Sequence, residues 1–167
     1  SYTAAFSVAA AMGGAVETTS VALAKRSREL STAHFEANGF SMDNYRLVVM
    51  DVFDSFKYAK KKGLSYDLIV IDPPSFARNK KRTFSANKDY HKLIAQSLDI
   101  LSEHGTIIAS TNAANMTVQQ FKKQLRKGLG DVSADFVNLQ QLPADFTVNP
   151  NDPTSNYLKV YTIKVNK

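Results

Sequence analysis

Tyr66 to Ala77 reads YDLIVIDPPSFA, and the interpretation of this stretch decides the fold. Leu68, Ile69, Val70 and Ile71 are consecutive apolar residues, mostly β-branched, the pattern of a central parallel strand buried on both faces. The strand ends at Asp72. Pro73 removes an amide donor and Pro74 biases the residue before it toward extended geometry, so the chain leaves the sheet in a stiff turn beyond the strand's carboxyl end. In open α/β sheets ligands bind at that edge. A carboxylate on such a turn, followed by the aromatic Phe76, suits a ligand whose amino group donates to Asp72 while its flat face stacks on the ring. A plain strand-to-loop turn uses the same residue types, since Asp and Pro are ordinary turn formers.

Outward from this strand, the chain alternates strands and helices. Upstream, Ala4 to Met12 is an alanine-rich helix closed by Gly13-Gly14, Thr18 to Ala22 a short strand, and Ala24 to Ala37 a helix stopped by Asn38-Gly39. Arg46 to Met50 is the next strand, ending at Asp51, and Val52, Phe56 and Ala59 have helical spacing. Downstream, about a dozen residues lack an apolar period and read as a loop of the length that is usually functional or disordered. Lys88 to Leu101 is then a helix, Thr106 to Ser110 a buried strand, and Thr117 with Gln120 has capping-box spacing for a helix to Gly128. Asp135 to Leu142 and Tyr157 to Val165 read as an antiparallel pair. The sum is a single domain over residues 1–167, an α/β protein with a three-layer α/β/α, Rossmann-like architecture and a mainly parallel sheet closed by a C-terminal antiparallel strand.

Composition narrows the function classes. The 167 residues are 44% hydrophobic and carry no cysteine, which excludes disulfides and thiolate metal sites. His34, His91 and His104 show no ligand spacing, so no metal is expected. No apolar run approaches the length of a membrane span, and no leader pattern is visible, so the cytoplasm is the default location. The net charge of +6 points to a polyanionic partner, although lysines on solvated helix faces produce the same number.

The order of elements, Asp51 after the second of these strands, the DPP turn and the closing hairpin resemble class I S-adenosylmethionine-dependent methyltransferases. More narrowly, SYTAAFSVAAAMGGA, VVMDVFD, DPPSFARNKKRTF and KDYHKLI are similar to the bacterial large-subunit (23S) rRNA methyltransferase group, over essentially the whole chain. The resemblance implies S-adenosylmethionine as cofactor and RNA, in particular 23S rRNA, as partner, with a homodimer as a further expectation. It places Ser1, Tyr2 and Thr3 along the methionine part of the cofactor, Leu23 beside it, Asp51 as acceptor for the adenine amino group and Val52 as a backbone donor to the ring. Asp72, Pro73 and Pro74 face the methyl sulfonium and the target base.

The chain departs from the family at three places. Ala4 stands where a glycine is usual, Ala22 stands where related sequences carry the acid for the ribose hydroxyls, and the strand expected before Ser1 is missing, so the chain reads as the later portion of a longer protein. Losing a charge-assisted acceptor costs on the order of 2–3 kcal/mol.

Methylation at cytosine C5 relies on covalent addition of a thiolate to the ring. Where cytosine-5 members of the family carry a cysteine after the fifth strand, this chain reads ASTNAANM, with Ser110, Thr111 and Asn112. A ring or exocyclic nitrogen, such as guanine's, needs no such help, and Asn112 is placed to read a base edge. Phe76, Arg78, Lys80, Lys81 and Arg82 form the expected RNA contact beyond the turn. Two other classes share the architecture. A nicotinamide oxidoreductase would need a Gly-x-Gly-x-x-Gly after a strand, which is absent. A non-catalytic RNA-binding descendant would be consistent with Ala4 and Ala22.

Overall fold

The structure, a computed structural model, describes residues 3–78 and 83–167. The chain falls into two compact units, residues 1–59 and 60–167.

In the first unit, α1 (Ala5–Met12), β1 (Thr18–Ala22), α2 (Ser27–Ala37) and β2 (Tyr45–Val49) are followed by the start of α3 (Val52–Lys61). β1 and β2 pair in parallel, from Thr18 opposite Tyr45 to Ala22 opposite Val49. Ala4, Val8 and Ala11, spaced along one helical stripe, pack with Phe35 of α2 in a buried cluster. Phe35 stacks on Tyr45 with ring centroids 4.4 Å apart, and Phe40 meets both rings edge-on. Burying Phe35 alone stabilises by about 1.5–3 kcal/mol.

The second unit contains β3 (Tyr66–Ile71), β4 (Phe76–Arg78), β5 (Thr83–Ser85), α4 (Ala86–Leu98), β6 (Leu101–Thr111), α5 (Val118–Leu129), β7 (Ser133–Gln140) and β8 (Lys159–Asn166). Its main sheet has the order β3-β6-β8-β7. β3 is parallel to β6, while β8 is antiparallel to both β6 and β7. β3, β6 and β7 therefore run one way and β8 alone is reversed, the expected C-terminal antiparallel strand. Tyr90 of α4, Phe121 of α5 and Tyr161 of β8 form a chain of ring contacts at 4.8 and 5.9 Å, which seats both helices on the sheet. A Cβ on Gly128 would lie 2.5 Å from Ile94, so the close approach of α5 to α4 requires glycine there. The capping box is formed as expected: Gln120 N–H donates to Thr117 Oγ1 at 3.1 Å, and Thr117 N–H to Gln120 Oε1 at 2.8 Å.

Three expectations change. The stretch after Pro74 is not a structureless loop: Phe76–Arg78 pairs antiparallel with Thr83–Ser85, a hairpin too short to show an apolar period. The helix expected to run to Leu101 ends at Leu98, and β6 begins at Leu101 rather than Thr106. Ser102, Glu103 and His104 hide that start behind polar side chains. β3 is not buried on both faces. It is the edge strand of its ladder, with Leu68 45% exposed and Ile71 its one buried residue.

Candidate active site

In the second unit, three contacts hold the carboxyl ends of β3 and β6 in register. Parallel pairing sets Ile71 opposite Ala109. Beneath them the Tyr90 hydroxyl lies 2.8 Å from both the Ile71 and the Ser110 carbonyl, so one phenolic proton is shared between the ends of two neighbouring strands. Burial, with the Asp72 charge adding to it, pushes the Tyr90 pKa far up against the opposing Ser110 contact, and the phenol stays a neutral donor. Above them the Ser75 hydroxyl donates to Asn112 Oδ1 at 2.8 Å, joining the loop after β3 to the loop after β6. The Ser75 carbonyl in turn accepts from Ala86 N–H at 3.0 Å, which fixes the turn to the start of α4.

On this frame Asp72 and Pro74 are exposed and Pro73 is half-buried. Phe76 keeps 63% of its surface in contact with solvent, an open aromatic face beside the turn. Arg78 is exposed at the end of β4. Asp72, Pro73, Pro74, Phe76 and Asn112 are thus brought to one sheet edge. Oδ1 of the exposed Asn112 accepts from Ser75, so one of its two lone pairs is already taken.

In the first unit, Asp51 follows β2 and is half-buried. Its Oδ1 accepts from Phe53 N–H at 3.0 Å, and its carbonyl accepts from Ser55 N–H, so Asp51 is the N-cap of α3. Val52 is the first residue of that helix. Ala22 is buried at the end of β1, its carbonyl taking Met50 N–H at 2.9 Å, while the next side chain, Leu23, is 59% exposed. Ala4 precedes α1 in the left-handed region, φ 57° and ψ 29°. That conformation costs an L-residue about 1–2 kcal/mol, a cost that the glycine expected there from the resemblance would avoid. Just before it, the Thr3 carbonyl lies 2.9 Å from His34 Nδ1. Ser1, Tyr2, Lys80, Lys81 and Arg82 lie outside the described residues.

An adenosyl sulfonium fits these residues at one point and misses at another. Asp51 presents a half-buried carboxylate at the carboxyl end of β2, while Ala4, left-handed but buried against Phe35, offers the ligand no open face. At Ala22 there is no acceptor for a ribose. Among the described residues no cluster of His, Cys, Asp or Glu could hold a metal ion, and no helix is long and apolar enough to cross a membrane.

Sequence reasoning passed over Tyr90, Ser75, Lys159 and His34. Tyr90 carried a usable signal. It falls on the apolar stripe with Leu93, Ile94 and Ser97, and a buried phenol requires a partner for its hydroxyl.

A family model described as S-adenosylmethionine-dependent methyltransferase matches residues 1–160. A Bacillus subtilis (strain 168) protein named "Putative ribosomal RNA large subunit methyltransferase YwbD" is 44% identical over 98% of this chain and 42% of its own length. "Ribosomal RNA large subunit methyltransferase I" of Klebsiella pneumoniae is 29% identical over 99% of this chain and 42% of its own. Among solved structures, "SMU.776, a putative methyltransferase complexed with SAH" superposes with a TM-score of 0.95 at 71% identity, covering 98% of this chain and 43% of that one. The chain spans less than half the length of each of these proteins.

Proposed function

The chain belongs to the S-adenosylmethionine-dependent methyltransferase family, and from that premise we propose that it methylates a base of large-subunit ribosomal RNA at a ring or exocyclic nitrogen. When bound, the cofactor supplies an electrophilic methyl group on a sulfonium. Thr3, with Ser1 and Tyr2, lies along its methionine part, Leu23 packs beside it, the Asp51 carboxylate accepts from the adenine amino group, and the Val52 N–H donates to the ring. Asp72 accepts the hydrogen bond of the target N–H and so fixes the direction of the nitrogen lone pair. Pro73 and Pro74 stiffen that turn, Asn112 donates to an acceptor on the same base edge, and Phe76 stacks against the base. Arg78, Lys80, Lys81 and Arg82 hold flanking phosphates while the base leaves its stack. The work of the chain is positioning and exclusion of water, and proximity alone accounts for several kcal/mol of such a barrier.

The observation that supports this reading is the Ser75–Asn112 hydrogen bond, which ties the exposed Asn112 to the turn that carries the exposed Asp72, in a chain with no thiol. A carbon nucleophile activated by a thiolate has no group here to activate it. The test is nucleoside mass spectrometry of ribosomal RNA treated with the protein and S-adenosylmethionine. An N-methylated nucleoside is expected, with no covalent adduct on 5-fluorocytosine-substituted RNA; recovery of 5-methylcytidine refutes the assignment. Ala22 favours a second reading, a non-catalytic RNA-binding descendant. Calorimetry separates the two, because that descendant would bind RNA and leave S-adenosylmethionine in solution.

A further inference from the structure

Lys159 is the first residue of β8 and is 4% exposed, yet among the described residues its ammonium bonds two carbonyls and no carboxylate. Its Nζ donates to the Ala113 carbonyl at 3.0 Å and to the Tyr157 carbonyl at 2.9 Å. An ammonium taken out of water without a counter-ion is costly, and an apolar side chain of the same length would fill the space at no such cost. Burial lowers its pKa, in keeping with that cost. Neither acceptor belongs to the sheet ladder: Ala113 lies in the loop after β6, and Tyr157 in the segment leading into β8.

The first contact falls on the Ala113–Ala114 peptide, one removed from Asn112. Ala113 N–H donates to Thr111 Oγ1 at 3.3 Å, and the Ala113 carbonyl accepts from Met116 N–H at 3.1 Å as well as from Lys159. Thr111 is itself the register partner of Lys159. The Asn112 side chain is held from the other direction by Ser75. Asn112 is therefore held through its side chain by Ser75 and through its following N–H by Thr111, while Lys159 holds the next peptide along, at the Ala113 carbonyl, and supplies the one charged donor of the set.

We infer that Lys159 is a positioning residue for methyl transfer, whose buried ammonium holds the Ala113–Ala114 peptide and through it the loop that presents the Asn112 amide to the target base. This rests on the reading of Asn112 as a base contact. A charge-assisted bond to a carbonyl is roughly twice as strong as a neutral one, which gives a loop a rigidity that its backbone contacts alone do not.

The test replaces Lys159→Met in the full-length protein and measures two things. Hydrogen exchange should accelerate about tenfold at residues 112–116 while β6 and β8 stay within about twofold, as expected for a local opening. In steady-state methylation, kcat should fall about tenfold or more with the dissociation constant for S-adenosylmethionine within about twofold, since small misplacements at a reacting centre are expensive. Lys159→Arg, which keeps a buried donor, should restore part of both. Unchanged exchange at 112–116 overturns the inference, as does a variant that fails to fold or that loses cofactor binding in step with activity. If the unmodified protein transfers no methyl group to RNA, the functional reading falls by itself, and the exchange measurement still decides whether Lys159 holds the loop.

Discussion

Asp51 has two possible duties, and one substitution separates them. Its Oδ1 caps α3 through Phe53 N–H at 3.0 Å, while the adenine amino group is its proposed ligand. Asn caps helices about as well as Asp, so Asp51→Asn keeps the cap and removes the charge. The loss of charge at the helix N-terminus should cost no more than about 0.5 kcal/mol, a shift of under about 2 °C in the unfolding midpoint for a chain of this length. A hydrogen bond to a charged acceptor contributes about 1.5–3 kcal/mol and one to a neutral acceptor about 0.5–1.5, so cofactor binding should weaken by about 1–1.5 kcal/mol. That is roughly a fivefold to tenfold rise in the dissociation constant. Asp51→Ala removes both functions and should lower the midpoint by about 2–4 °C in addition, from a lost cap of about 1 kcal/mol. Isothermal titration with S-adenosylmethionine and thermal melts of both variants give the answer. If Asp51→Asn binds as tightly as the unmodified protein while Asp51→Ala is destabilised, the carboxylate serves α3 alone and the assignment to adenine is wrong.

Restoring the ribose acceptor with Ala22→Asp should tighten S-adenosylmethionine binding about tenfold or more, and should slightly destabilise the free protein because position 22 is buried; an unchanged titration would mean that the second strand is misaligned. Replacing Arg78, Lys80, Lys81 and Arg82 together with alanine should reduce the slope of log affinity for single-stranded RNA against log salt by up to about 3. The same change at Lys60 to Lys62 should leave the slope nearly unaltered, and equal effects of the two sets would remove the loop from the interface. At Asp89, burial raises the pKa but the Lys92 hydrogen bond and Ser85 N–H outweigh it, leaving the folded value below the ordinary 3.8. The unfolded chain then binds more protons in that window, so the stabilisation is complete above pH 3.8 and disappears as pH falls through the lower folded value. Asp89→Asn should flatten denaturation midpoints across that acid limb, and an unchanged limb would count against the carboxylate's role.

The parallel pairs and the reversed last strand were legible because β-branched runs and capping signals report backbone state directly. The hairpin of β4 and β5 was not, since three-residue strands such as Phe76–Arg78 are too short for an alternation to repeat. The edge position of β3 was hidden for another reason: LIVI states apolarity, and which side finds a partner is settled by topology. At the candidate site, Asp72 and Asn112 could be read from residue type and place, whereas the Ser75–Asn112 contact joins positions 37 apart and leaves no local trace. Ala4 shows the opposite case, in which an unexpected residue type marked a backbone position whose left-handed geometry was then found.

The shared proton of Tyr90 bears on how such a protein can change its substrate. Because the ends of β3 and β6 are tied by a residue of α4, the exposed positions of the loops that follow them, Pro74, Ala114 and Asn115, can accept substitutions without loosening the ends of the two strands. A lineage drifting toward a different nucleotide would concentrate its changes in those loops and keep the phenol. In a library randomised at those exposed positions and selected for a new RNA target, folded members should be common as long as Tyr90 is left in place, and rare when it is replaced by Phe.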